Sequence, residues 1–146
     1  MQREIEVRKV SNEDDLQKVF AIRRTVFVDE QNCPPELEWE HEEESVHFLG
    51  LVDGQPAGAS RWRKTEKGYK LERFAVLKEF RGLGLGQALV LAVLNDLPED
   101  ANYAYLHAQI TAMPLYAKLG FKKVGEQFEE AGIKHFKMEL YPEKIL

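Results

Sequence analysis

One cysteine, Cys33, is all that this 146-residue chain contains, so no internal disulfide can form. Four histidines, at 41, 47, 107 and 135, show none of the spacings at which His and Cys ligate zinc, and no metal is implied. Long apolar runs are missing: the longest uninterrupted one, Ala88 to Leu94, falls far short of the ~20 residues that span a bilayer. Met1-Gln2-Arg3-Glu4-Ile5-Glu6 has no apolar signal region either, so the expectation is a cytoplasmic protein with no membrane partner. Positive charge is the scarcer sign. Lys and Arg number 20 against 25 Asp and Glu, a formal net charge of -5, which argues against the clustered cations that nucleic-acid binding requires.

What is present suits a compact domain. At 44% hydrophobic content the chain fits one domain, residues 1 to 146, able to hide roughly 70% of its unfolded surface on folding. Ile5 and Val7 alternate with polar residues as a first strand, and Ser11 with Asp14 resembles a capping box ahead of Leu16, Val19, Phe20 and Phe27 at helical spacing. Two strand-like stretches, 46 to 52 and 55 to 63, flank the hairpin signal Asp53-Gly54, and Gly68 opens another strand through Leu77. The helix Gln87 to Leu97 is apolar almost all round, which packs it on the sheet, and Pro98 stops it. A strand from Tyr103 to His107 then returns parallel to the one ending at Leu77, because a helix makes the connection. Pro114 and Gly120 bracket a short helix, and two strands, about Phe121 to Phe128 and Ile133 to Leu140, complete a mixed sheet.

The most informative stretch is Arg81-Gly82-Leu83-Gly84-Leu85-Gly86, between a strand and a helix. Glycines there remove the Cβ atoms that would hold a phosphate away, and the opening turn of the helix offers N–H donors at its positive end. A pyrophosphate is the expected guest. The dinucleotide fingerprint fails, since Gln87 stands where a third glycine is needed and the turn lies mid-chain. The Walker loop fails too, since Gln87 and Ala88 follow Gly86.

The pattern R-x-x-G-x-G, with Leu71-Glu72-Arg73-Phe74-Ala75-Val76 before it and Leu115-Tyr116-Ala117-Lys118-Leu119-Gly120-Phe121 after it, resembles the GNAT superfamily of acetyl-CoA-dependent N-acetyltransferases. Val26 to Gln31 and Arg61-Trp62-Arg63 are most similar to its ElaA-like bacterial subgroup. The resemblance implies an α/β (α+β) fold with a mostly antiparallel sheet splayed between strands 4 and 5 and flanked by helices. Pantetheine would lie in that gap against the backbone of Phe74, Ala75 and Val76, with the pyrophosphate on Arg81, Gly82, Leu83, Gly84, Leu85 and Gly86. Gln109 falls where many members carry a cofactor-contacting asparagine. The Val76 N–H would polarise the thioester.

The implied reaction moves acetyl from acetyl-CoA directly to a primary amine of a small molecule or peptide, with no covalent enzyme intermediate, since no Cys–His pair can be placed. Glu72 is the candidate base, helped if burial raises its pKa; the alternative is a carboxylate paired with Arg61, Arg63 or Arg73. Tyr116 matches the tyrosine that donates a proton to the departing thiolate. Trp62 reads as one buried ring between two exposed arginines. Glu36 to Glu44, six of nine residues Glu, reads as a solvated loop or a rim attracting a cationic amine. His107 and His135 read as structural residues rather than proton carriers. A non-catalytic acyl-CoA sensor on the same fold is the competing class, and the sequence is compatible with a monomer or a homodimer.

Overall fold

A computed structural model describes residues 3–35 and 40–141. Strands β1 (Ile5–Lys9), β2 (Val46–Val52), β3 (Gln55–Thr65), β4 (Gly68–Val76), β5 (Ala104–Gln109), β6 (Lys122–Glu130) and β7 (Ile133–Leu140) form one sheet in the order β1-β2-β3-β4-β5-β7-β6. Among the described strands, only β4 and β5 run parallel. The β2–β3 turn has positive φ at both Asp53 (51°) and Gly54 (80°), the two-residue geometry that the Asp-Gly signal predicts.

Helix α1 (Glu13–Arg23) packs on one sheet face and α2 (Leu85–Asp96) on the other, while α3 (Met113–Lys118) follows β5. Val19 and Ile22 of α1 bury against Leu49, Leu51, Ala59 and Ala75. Leu85 and Leu89 of α2 pack with Val52 and Ala57, and Val90 and Val93 with Phe48, Leu71, Ala104 and Leu106. Each buried Val, Leu, Ile or Phe side chain among these contributes about 1.5–3 kcal/mol. Glycine seats α2 close to the sheet. A Cβ on Gly58 would lie 2.9 Å from Leu85 Cδ2 and 3.0 Å from Leu89 Cδ1, and one on Gly50 would lie 2.9 Å from Leu85 Cδ1.

Local details differ from the sequence expectations. The cap of α1 is Asn12, whose side chain accepts the Asp15 N–H at 2.8 Å, rather than Ser11. The helix then continues as a wider π-helix, Arg24–Glu30, which no spacing rule announces. α2 starts two residues earlier than expected, at Leu85, directly out of the glycine turn.

Two features open the sheet. Parallel pairing between β4 and β5 is confined to Tyr69↔Ala104 and Lys70↔Tyr105, beyond which the strands part. β4 also carries a bulge: its register to β3 steps from Arg61↔Glu72 to Ala59↔Ala75, and Arg73 takes φ 59°. The extra residue shifts the side-chain alternation, so Phe74 lies with Leu71 on the α2 face while Glu72 and Ala75 lie on the α1 face.

Candidate active site

The glycine turn leaves α2 with an open N-terminus. Gly84 is the N-cap, at φ 91° and ψ 4°, and no side chain caps the first N–H groups. Gly82 has φ 80°, and a Cβ built on either glycine would meet nothing within 4 Å. These glycines are there for backbone conformation and exposure, not for packing. Leu83 and Leu85 turn their side chains into the core with Phe80 and Leu89, which leaves the backbone as the part of them facing outward. Gly86 is tighter: a Cβ there would lie 3.4 Å from Leu115 of α3.

Arg81 fixes the start of the turn. Its Nη1 and Nη2 donate to both carboxylate oxygens of Glu30 at 2.9 and 2.8 Å, and its Nε donates to the Val76 carbonyl at 2.9 Å. The guanidinium thus joins the end of the π-helix to the end of β4. Beside it, the Leu77 N–H donates to Ala57 of β3 at 2.8 Å. Backbone donors alternate sides along an extended strand, so the Val76 and Phe74 N–H groups point the other way, into the gap.

The gap is a cleft of about 630 Å³. Phe74, Ala75, Val76, Arg81, Gln109 and Tyr116 line it together with Glu72. Gln109 is tied by its Nε2 to Oε1 of Gln31 at 3.0 Å. Tyr116 is 6% exposed, its ring 5.7 Å from Phe74 and 6.1 Å from Phe121, and burial pushes its phenol up.

Glu72 is buried, but its pKa moves opposite to the rise that would help a base. Arg61 donates from Nε and Nη2 to Glu72 Oε2 at 2.8 and 2.5 Å, Arg63 Nε donates to the same oxygen at 2.9 Å, and Lys70 Nζ lies 3.3 Å from Oε1. Burial, the largest single influence, pushes the carboxyl up; Arg61, Lys70, Arg73 and the Arg63 hydrogen bond together outweigh it and hold the pKa at about 2. Burial also pulls Arg61 down, but a guanidinium starts so far above neutrality that it stays charged. The geometry is that of the ion-paired alternative.

Two further expectations are corrected. Arg61 is fully buried at 0% exposure, whereas Trp62 is only partly buried and donates to Asp96 of α2 at 2.9 Å; β3 therefore turns Arg63, not the Trp62 ring, into the cleft, with Arg61 buried against Glu72. Of the acidic run, Glu36 and Glu38 lie outside the described residues. Glu42 is no free loop charge, because it accepts from Arg61 Nη1 at 3.1 Å and from both terminal nitrogens of the buried Arg23.

Sequence reasoning missed the opposite wall. β5 pairs with β7 so that Gln109 meets His135 and His107 meets Lys137. His107 Nδ1 is 3.0 Å from Glu130 Oε1, and His135 Nε2 is 3.9 Å from Glu130 Oε2. The His107 hydrogen bond, against some desolvation, lowers Glu130. The period-two pattern of β7 gives the face of His135, but only the strand order β5-β7-β6 brings the three groups together.

Comparison with known proteins identifies the family and the fold. Residues 10–142 match the family model of the acetyltransferase (GNAT) domain. The uncharacterized N-acetyltransferase YjcF of Bacillus subtilis is 39% identical over 131 residues, covering 87% of this chain and 93% of that protein. The crystal structure of Escherichia coli ElaA is 27% identical with a TM-score of 0.78, over 93% of this chain and 99% of that one. An acyl-CoA N-acyltransferase from Pseudomonas aeruginosa is 26% identical with a TM-score of 0.79, over 94% of this chain and 99% of that one. The fold, the open glycine turn and these matches together show that the chain belongs to the GNAT family of N-acetyltransferases.

Proposed function

We propose that this enzyme uses acetyl-CoA and transfers the acetyl group directly to a primary amine of a small molecule or peptide. The observation that carries the reading is the open α2 N-terminus, with Gly82 and Gly84 in the left-handed region and empty space where their Cβ atoms would be. A diphosphate accepts hydrogen bonds from such bare N–H groups and is favoured by the positive helix end. Arg81, already engaged by Glu30, shapes the turn, and the backbone carries the phosphate contacts.

From the cradle, pantetheine runs along the parted edge of β4, where Phe74 offers its N–H to an amide as an added strand would. The Val76 N–H meets the thioester oxygen and stabilises the oxyanion. Tyr116, kept protonated by burial, gives the departing thiolate its proton. Glu72 takes no proton at neutral pH; it holds Arg61, Arg63 and Lys70 in place beneath the acceptor. The name of the P. aeruginosa neighbour, an acyl-CoA N-acyltransferase, supports a thioester donor.

The test has two parts. Coenzyme A should raise the melting temperature of the wild type, and Gly84→Glu, which puts bulk and negative charge into the cradle, should abolish that rise; an unchanged rise removes the phosphate assignment. Mass detection over polyamines, amino acids, aminosugars and peptides with acetyl-CoA then reads turnover, and tight binding with no acetylated product favours a non-catalytic sensor.

A further inference from the structure

We propose that His135 Nε2 accepts the proton of the acceptor ammonium, with Glu130 as its positioning residue; this rests on the transferase reading above. His135 lines the cleft while being only 5% exposed, and its Nδ1 lies 2.7 Å from the Ile133 carbonyl. A carbonyl can only accept, so Nδ1 carries the ring proton and the lone pair of the neutral ring sits on Nε2. Phe128 stacks on the ring with centroids 5.8 Å apart and planes at 22°, which fixes its orientation. Glu130 Oε2, 3.9 Å from Nε2, stabilises the imidazolium as it forms, and its other oxygen is anchored by His107.

Beyond the Lys70↔Tyr105 pair, Glu72 and Phe74 of β4 and His107 and Gln109 of β5 line the same cleft. His135 pairs with Gln109 and lines that cleft together with Phe74, Ala75 and Val76, the segment that meets the thioester in this reading. Across the gap stand Lys70, Glu72 and Arg73 of β4 and Arg63 of β3. Glu40, His41 and Cys33 also line the cleft, and among the described residues His107 and His41 are its other imidazoles.

The protons balance. One N–H bond of the ammonium breaks, its electron pair stays on nitrogen, and an Nε2–H bond forms on His135. The amine attacks the thioester carbon and the C–S bond breaks with its pair on sulfur. Tyr116 protonates the thiolate and regains the second amine proton, and His135 releases the first to water.

The experiment measures kcat and kcat/KM with the best amine of the panel between about pH 5 and 9 for wild type, His135→Asn and Glu130→Gln. His135→Asn should lower kcat about 100-fold or more at neutral pH and lose the acidic limb, with coenzyme A stabilisation unchanged. Glu130→Gln should keep the limb but move it to lower pH, because the imidazolium loses a nearby negative charge. A wild-type rate and limb in His135→Asn overturn the proposal. So does a nitrogen NMR spectrum of the wild type in which the neutral His135 ring is protonated on Nε2, a readout that needs no variant to fold. Turnover indifferent to His135 sinks this inference alone, whereas binding with no turnover of any amine sinks the transferase reading with it.

Discussion

The two walls of the gap hold their carboxylates in different company. On the β3–β4 wall, Glu72 is 8% exposed and is ringed by Arg61, Arg63 and Lys70. On the β5–β7–β6 wall, the Glu130 side chain is 45% exposed and stands between two imidazoles. A carboxylate saturated by guanidinium groups keeps its charge across the working pH range, so it organises structure and exchanges no proton. A carboxylate set between two imidazoles stands beside ring nitrogens that can accept or donate a proton. One wall is therefore scaffold and the other is placed for proton chemistry.

The sharpest way to break this contrast is Glu72→Gln. Removing that charge leaves Arg61 buried with Glu42 as its remaining carboxylate, and should cost about 3 kcal/mol of stability in urea denaturation. Glu130→Gln removes a half-exposed charge and should cost less than about 1 kcal/mol. Should Glu72→Gln unfold at the wild-type midpoint yet lose acetyl transfer, the roles are reversed and Glu72 is the proton acceptor after all.

The sequence made the scaffold more legible than the site. Apolar spacing, Asp53-Gly54 and the run 81 to 86 located the strands, the hairpin and the open helix end, because each is a local rule written in neighbouring residues. The bulge at Arg73 is not local: it exists because β3 and β4 differ in length by one residue between two registers, and strand alternation counted from Glu72 alone does not reveal it. Glu72 and Arg61 are eleven residues apart in the chain, and that pairing could at least be offered as an alternative. The assembly of His107, Glu130 and His135 could not, because β7 is inserted between β5 and β6 and no short-range pattern records that order.

Acid unfolding of the wild type probes the same contrast more gently. Glu72 ionises at about 2 in the folded chain against an ordinary 4.5, so the native state binds its proton more weakly than the unfolded chain does. Its stabilisation is then complete above about pH 4.5 and is lost as pH falls toward 2, a span worth about 3 kcal/mol. Denaturation midpoints followed from pH 6 to about 2 should show this slope in wild type and in Glu130→Gln, and a shallower one in Glu72→Gln. Equal slopes in all three would mean that the ring of cations around Glu72 does not hold in solution.

The smallest expected change comes from Tyr116, which enters the cleft from α3 and belongs to neither wall. Tyr116→Phe removes one oxygen from a site packed by Phe74 and Phe121, so stability should fall by no more than about 1 kcal/mol. Acetyl transfer should slow by about tenfold or more with little change in coenzyme A affinity, because the thiolate then leaves without a positioned acid. The pH profile makes the variant useful beyond its rate. If abstraction at His135 and donation at Tyr116 are separate events, the plateau of kcat/KM drops while the acidic limb stays where it is in wild type. A limb that moves in Tyr116→Phe would instead join the phenol to the group formed by His107, Glu130 and His135, and the division of labour between the walls would have to be redrawn around the sulfur.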